Sequence, residues 1–175
     1  MSARPTGDGE VEAAGWEELA LAANRREERS DEAAAERELL VLWLGEDPYA
    51  LPVERVREIV RLRPITPMPH VPAAVRGVLS LRGEIVQVID LRRRLGLPED
   101  DAGGSRRRVV VLHGEDGQMT GLLVDRVSEV MRMRDDALRP PTGRDAGTVV
   151  ALAPHRDRFV SVFDVDRVLE LGTGA

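Results

Sequence analysis

Apolar residues in this chain fall in short runs separated by turn-forming residues, the pattern of strands rather than of long helices. Leu39 to Leu44 reads as a strand, Gly45-Glu46-Asp47-Pro48 as a turn and Tyr49 to Val53 as the return partner. Arg108 to His113, Gly114 to Gly117 and Met119 to Val124 repeat that plan. Val75 to Leu81 and Ile85 to Leu91 flank Arg82-Gly83-Glu84, where Gly83 supplies the permissive backbone of a tight turn; the runs predict a hairpin buried on both faces. Val53, Val56, Ile59 and Val60 recur at intervals of three and four, which suits a short helix or a twisted strand end. Pro64, Pro67, Pro69 and Pro72 exclude regular helix, so that segment is an extended crossing. Asp90 to Leu95 makes a helical turn stopped by Gly96 and Pro98. Met131 to Gly147 reads as a loop, Thr148 to Leu152 and Phe159 to Phe163 as a last hairpin, and Asp164 to Leu171 as the closing turn. Short strands at this regular spacing predict a mostly-β barrel architecture.

The pattern also occurs twice. Residues 54–62 return as residues 125–133 at an offset of 71, and Val88 to Leu95 is echoed by Val162 to Leu169 at an offset of 74. The strand Leu39 to Leu44 is echoed by Val109 to His113 at the front of the second copy. Two copies are too few for a solenoid. Units of ~60–70 residues are marginal alone, so the two halves are expected to share a core. The polar stretch 98–105 marks the boundary between them, and the seam is the first place to look for function.

Charge separates an arm from the body. Residues 1–38 hold eleven acidic residues and five arginines, while residues 39–175 carry twenty of each sign, so the net charge of −6 resides in the front of the chain. Residues 1–37 are an acidic, Ala/Glu/Arg-rich segment with Trp16, Leu19 and Ala23 on helical spacing and little apolar face, which predicts a frayed helix or a disordered arm. The folded domain is expected over 38–171, with 172–175 as a tail. A neutral body, in a chain with only five aromatic residues, does not suit nucleic-acid binding. Without cysteine, a secretory segment or a long apolar run, the expected location is the cytoplasm, with no membrane insertion.

Catalytic and metal-binding patterns are wanting. His70, His113 and His155 have no second ligand at short spacing, and neither HEXXH nor CXXC occurs. Ser80 and Ser161 lie inside strands, and no GXSXG is present. Asp90 and Asp164 are a carboxylate pair by repeat symmetry, but each stands where a strand runs into a helical turn, an N-cap position. There is no GXGXXG or P-loop. The expectation is a protein without enzyme activity, cofactor or metal; a small β-barrel enzyme and a nucleic-acid-binding barrel are the weaker alternatives.

Leu79 to Arg92 (LSLRGEIVQVIDLR) resembles the hairpin and following strand of the CheW-like coupling proteins of bacterial chemosensory systems. Tyr49-Ala50-Leu51-Pro52-Val53 with Val56, Glu58 and Ile59, Ile65 to Pro69 with Gly77, and Gly121 to Asp125 with Val127 and Val130 are similar to further segments of that family. Ser80, Gln87, Val149 and Val150 depart from it.

The resemblance implies two intertwined five-stranded SH3-like β-barrel subdomains with short helices. It also implies an adaptor that couples methyl-accepting chemoreceptors, through their cytoplasmic tips, to the regulatory domain of a CheA-type histidine kinase within receptor arrays at the inner membrane. An adaptor of the same architecture serving surface motility or second-messenger control is the alternative. Carried over from the family, the partner-binding residues are Val56, Glu58, Ile59, Gly77, Arg82 and Val127. Periodicity alone puts Val56 and Ile59 in the core, and a bare turn position makes Arg82 a solvated residue with a local ion pair.

Overall fold

Each repeat delivers its first two strands to one sheet and its next three to the other. In the computed structural model, which describes residues 21–22, 35–114, 117–143 and 147–171, the first repeat contains β1 (Glu36–Leu44), β2 (Asp47–Pro52), β3 (Val56–Arg61), β4 (Val75–Leu81), β5 (Glu84–Asp90) and helix α1 (Leu91–Arg94). The second contains β6 (Arg108–His113), β7 (Met119–Val124), β8 (Arg126–Arg134), β9 (Val149–His155), β10 (Arg158–Phe163) and α2 (Val165–Leu169). One sheet has the order β8-β1-β2-β10-β9 and the other β3-β6-β7-β5-β4. Shifting each label by one repeat converts either order into the other. The fold is therefore mostly β, with two intertwined five-stranded sheets related by a pseudo-twofold. The connector at 98–105 lies between the repeats in sequence but joins strands of one sheet in space.

The chain divides into two units, Met1–Ala35 and Glu36–Ala175. The expected frayed or disordered arm falls almost wholly outside the described residues, as does the tail at 172–175. Leu21 and Ala22 are helical, and β1 begins at Glu36, opposite Arg134 of β8.

The unbroken apolar runs follow from this exchange. Strand β1 points Leu39 and Val41 into the core of its own sheet, with Ala50, Met131 and Val160. It points Leu40, Leu42 and Leu44 into a larger core that both sheets share with Leu51, Ile89, Leu112, Leu122 and Phe163. Strand β6 divides its residues likewise, Val109 and Val111 to one side, Val110 and Leu112 to the other. Because alternate residues serve two different cores, polar positions are excluded from both faces. Each fully buried Leu, Ile or Phe contributes about 1.5–3 kcal/mol, so the shared core binds two subdomains that would be marginal apart. Tyr49 and Phe163 stack in it with ring centroids 4.8 Å apart.

Each sheet is closed by a single bridge between its outer strands. Thr66, in the proline-rich crossing after β3, exchanges two backbone hydrogen bonds with Val78 of β4 (2.8 and 2.9 Å), and Arg139, beyond β8, does the same with Leu152 of β9 (2.9 and 2.8 Å).

One local reading is narrowed and two are corrected. Val53–Arg55 is one 3-10 turn, after which the chain extends into β3, because an edge strand pairs with β6 instead of burying a helical face. Strand β8 continues through Met131–Arg134, where a loop was expected, since β1 offers pairing partners as far as Glu36. The β4–β5 hairpin is not buried on both faces: Ser80 is exposed and Ile85 is 68% exposed, because the hairpin outruns the sheet that covers its base.

Candidate functional site

The tip of the β4–β5 hairpin stands beside the edge strand β3. Arg82 and Gly83 occupy the two central turn positions with φ of +52° and +86°, the conformation whose twist matches the flanking strands. Holding a non-glycine residue there costs roughly 1 kcal/mol, and the side chain gains no burial in return, being 76% exposed. Its guanidinium lies 3.2 Å from Glu58 of β3, whose side chain is only 18% exposed. Arg57 and Glu84 pair in the opposite sense at 3.4 Å. Two exposed ion pairs contribute little stability; they fix the hairpin against the edge strand and neutralise the corner. Ile59 on β3 and Ile85 on β5 are exposed there, at 41% and 68%. Apolar side chains rimmed by charge are the composition of a small protein interface.

Of the six expected contact residues, the structure brings Glu58, Ile59 and Arg82 to this corner. Ile59 is a surface residue rather than the core residue its periodicity suggests. Val56 and Val127 are half-buried, and both pack on the rim of the shared core from opposite sheets. Gly77 is buried, with φ of +136°; a Cβ there would lie 2.1 Å from the Thr66 carbonyl oxygen. Its physical task is to admit the crossing that closes the barrel.

A second corner built on the same plan was not picked out by the motifs, although the repeat offsets lead to it. Arg156 at the β9–β10 tip has φ of +55° and lies 3.4 Å from Glu129 of edge strand β8. The offsets of 74 and 71 map these residues onto Arg82 and Glu58. Val130 and Phe159 match Ile59 and Ile85, and are 51% and 55% exposed.

The joints between strand and helix also correspond. Asp90 accepts from the backbone N–H groups of Arg92 and Arg93 (3.0 and 3.3 Å), and Asp164 from that of Arg167 (3.2 Å), so both carboxylates cap helices as expected. Arg92 on α1 donates to Asp125 at 2.6 and 2.9 Å, and Asp125 also accepts from the Gly45 N–H at 2.7 Å. Both side chains are nearly covered, at 11% and 13% exposure. The Asp125 hydrogen bond raises the Arg92 pKa further above its already high ordinary value. At the other joint the polarity reverses: Asp166 on α2 accepts from Arg55 at 2.6 and 3.1 Å, and Arg55 also donates to the His113 carbonyl. Hydrogen bonding from Arg55 holds the Asp166 carboxyl below the usual carboxylate range. Sequence spacing could not reveal these pairs, whose members lie 33 and 111 residues apart.

Among the described residues no three of His, Cys, Asp and Glu converge in a way that could hold a metal ion. His155 contacts Glu129 at 3.2 Å. No described helix is long and apolar enough to cross a membrane.

Residues 38–172 match the family model described as the CheW-like domain. The chain is 36% identical over 105 residues to a probable chemotaxis protein CheW of Rhizobium etli, a match covering 60% of this chain and 66% of that protein's length. It is 34% identical over 116 residues to protein FrzA of Myxococcus xanthus, covering 66% of this chain and 71% of FrzA. Among solved structures it is similar to the scaffolding protein TtCheW of Thermoanaerobacter tengcongensis, with a TM-score of 0.73 at 29% identity over 80% of this chain and 97% of that one.

Proposed function

The chain belongs to the family of CheW-like domains, and on that premise we propose that it is a chemotaxis scaffold coupling methyl-accepting chemoreceptors to a CheA-type histidine kinase, without catalysis of its own. The family match across both sheets carries this reading. The paired tip and edge strand support it physically, because they present exposed apolar side chains rimmed by charge on a frame of strands. The receptor contact is assigned to the Glu58, Ile59 and Arg82 corner. Val56 and Val127 line the rim of the shared core, where an amphipathic receptor helix could lay its apolar face. Gly77 supports the contact by closing the barrel behind it. The kinase regulatory domain takes a separate face, and the location is the cytoplasmic side of receptor arrays at the inner membrane. Weak single contacts become firm when many copies are linked in such an array.

Co-purification with a receptor tip fragment and with a kinase regulatory domain, separately and together, tests the reading. A ternary complex is expected; failure to retain either partner would refute it. The likeness to FrzA favours a second reading, the same adaptor chemistry in a pathway with a non-flagellar output such as surface motility. The receptor and kinase encoded beside this chain would decide between them.

A further inference from the structure

The second corner differs from the first in charge, and the difference can be traced position by position. In the first half, Arg55 is engaged by Asp166, and Arg57 by Glu84. The repeat equivalent of Arg55 is Arg126, but the position equivalent to Asp166 is Arg92, which is held by Asp125. Among the described residues Arg126 therefore has no carboxylate partner; its guanidinium lies over the Trp43 ring, 4.2 Å from the centroid. Ser128 replaces Arg57, and Arg158 replaces Glu84. Arg158 lies 5.8 Å from the same ring centroid and donates to the Glu46 carbonyl at 3.3 Å.

These residues line a cavity of about 430 Å³, within the range of small-ligand sites. Arg126, Arg156 and Arg158 face it against Glu129 and Asp157, and Glu129 is already shared by His155 and Arg156. The Trp43 ring is fixed in place, because its indole N–H donates to the Ser128 hydroxyl at 3.1 Å and that hydroxyl donates to the Val41 carbonyl at 3.3 Å. A guanidinium placed over an indole still has N–H donors to offer an oxyanion, and the cation and ring together make a surface on which a planar ring can stack. We propose that this cavity binds a small organic phosphate carrying a flat ring, of the nucleotide class. The phosphates would lie on Arg126 and Arg158, with the ring stacked on the Arg126–Trp43 pair. The site is independent of the adaptor reading, since it needs neither receptor nor kinase.

Trp16→Phe leaves Trp43 as the one indole in the chain, so its N–H resonance reports directly on the cavity. That resonance, together with calorimetry, is followed while ATP, adenosine or inorganic phosphate is added at low salt. Saturable ATP binding is expected, at least ~10-fold tighter than either fragment, and weakened about 10-fold by Arg126→Ala and by Arg158→Ala, the loss of one charged hydrogen-bond donor each. Unchanged thermal transitions in both variants establish that the fold is intact; should Arg126→Ala fail to fold, Arg158→Ala decides. No saturation by about 10 mM ATP, weaker than any −3 kcal/mol interaction, would overturn the proposal. So would affinity unchanged in the variants, or phosphate binding as tightly as ATP.

Discussion

The Arg82 corner and the Arg156 corner share a plan and differ in chemistry, and the turn that carries Arg82 stays left-handed at Gly83 while the other does not at Asp157. In both, an arginine in the left-handed region at a hairpin tip reaches a glutamate on the neighbouring edge strand, at 3.2 and 3.4 Å, and two large apolar side chains stay exposed. At the first corner every flanking arginine has a carboxylate: Arg55 has Asp166, Arg57 has Glu84, Arg82 has Glu58. At the second, Arg126 has an aromatic ring instead, and Arg158 stands where a carboxylate stood. Duplication thus supplies two equivalent platforms, and a few substitutions on them suffice to give each a different partner.

The comparison can be broken most severely at the joints. Asp125→Ala leaves the nearly covered Arg92 with only the Pro98 carbonyl and the half-exposed Asp100 and should cost about 2 kcal/mol, read as a lower urea midpoint, whereas Asp166→Ala at the equivalent, half-exposed joint should cost under ~1 kcal/mol. Equal losses would mean that the two joints do the same structural work. The barrel closures offer a second contrast. Gly77→Ala places a Cβ against the Thr66 carbonyl and should cost about 2 kcal/mol; its repeat equivalent is already Ala151, so Ala151→Gly should cost only ~0.5–1 kcal/mol. A tolerated Gly77→Ala would show that the crossing can retreat from β4.

The smallest effect is one of pH. Because the folded Asp166 carboxyl lies below its ordinary range, its contribution is present above the unfolded value near ~4 and is lost as pH falls through the lower folded value. Asp166→Asn should therefore destabilise by under ~1 kcal/mol at neutral pH and converge with the parent protein in strong acid. A gap that persists in acid would point to packing instead of charge.

Much of this plan was legible along the chain. The offset repeats led to the pseudo-twofold, the Gly83 turn to the hairpin, and the Asp90 and Asp164 positions to the two caps. The exchange of strands was not legible from periodicity, because an apolar run such as Leu39 to Leu44 looks the same whether its second face meets its own repeat or the other. Strand β8 escaped for a related reason: Met131 to Arg134 alternates weakly at a sheet edge, and only pairing with β1 keeps it extended. Arg92 and Asp125 each lay within motifs that resemble the family, yet nothing in either motif said that they meet. At the site, Ile59 illustrates the limit of spacing arguments. The same interval that places a residue on a helical face places it outward on an edge strand once the chain is extended.

Whether the first corner, and not its twin, receives the receptor is decided by one measurement: the affinity of a receptor cytoplasmic tip fragment for Arg82→Glu and for Arg156→Glu, side by side with their thermal transitions. Both arginines are about three-quarters exposed, at 76% and 74%, so neither change should move the transition appreciably. Arg82→Glu is expected to weaken receptor binding at least ~10-fold through lost charge pairing and repulsion from Glu58, while Arg156→Glu leaves it unchanged. Equal weakening by both, or a collapse of folding in Arg82→Glu, would contradict the account.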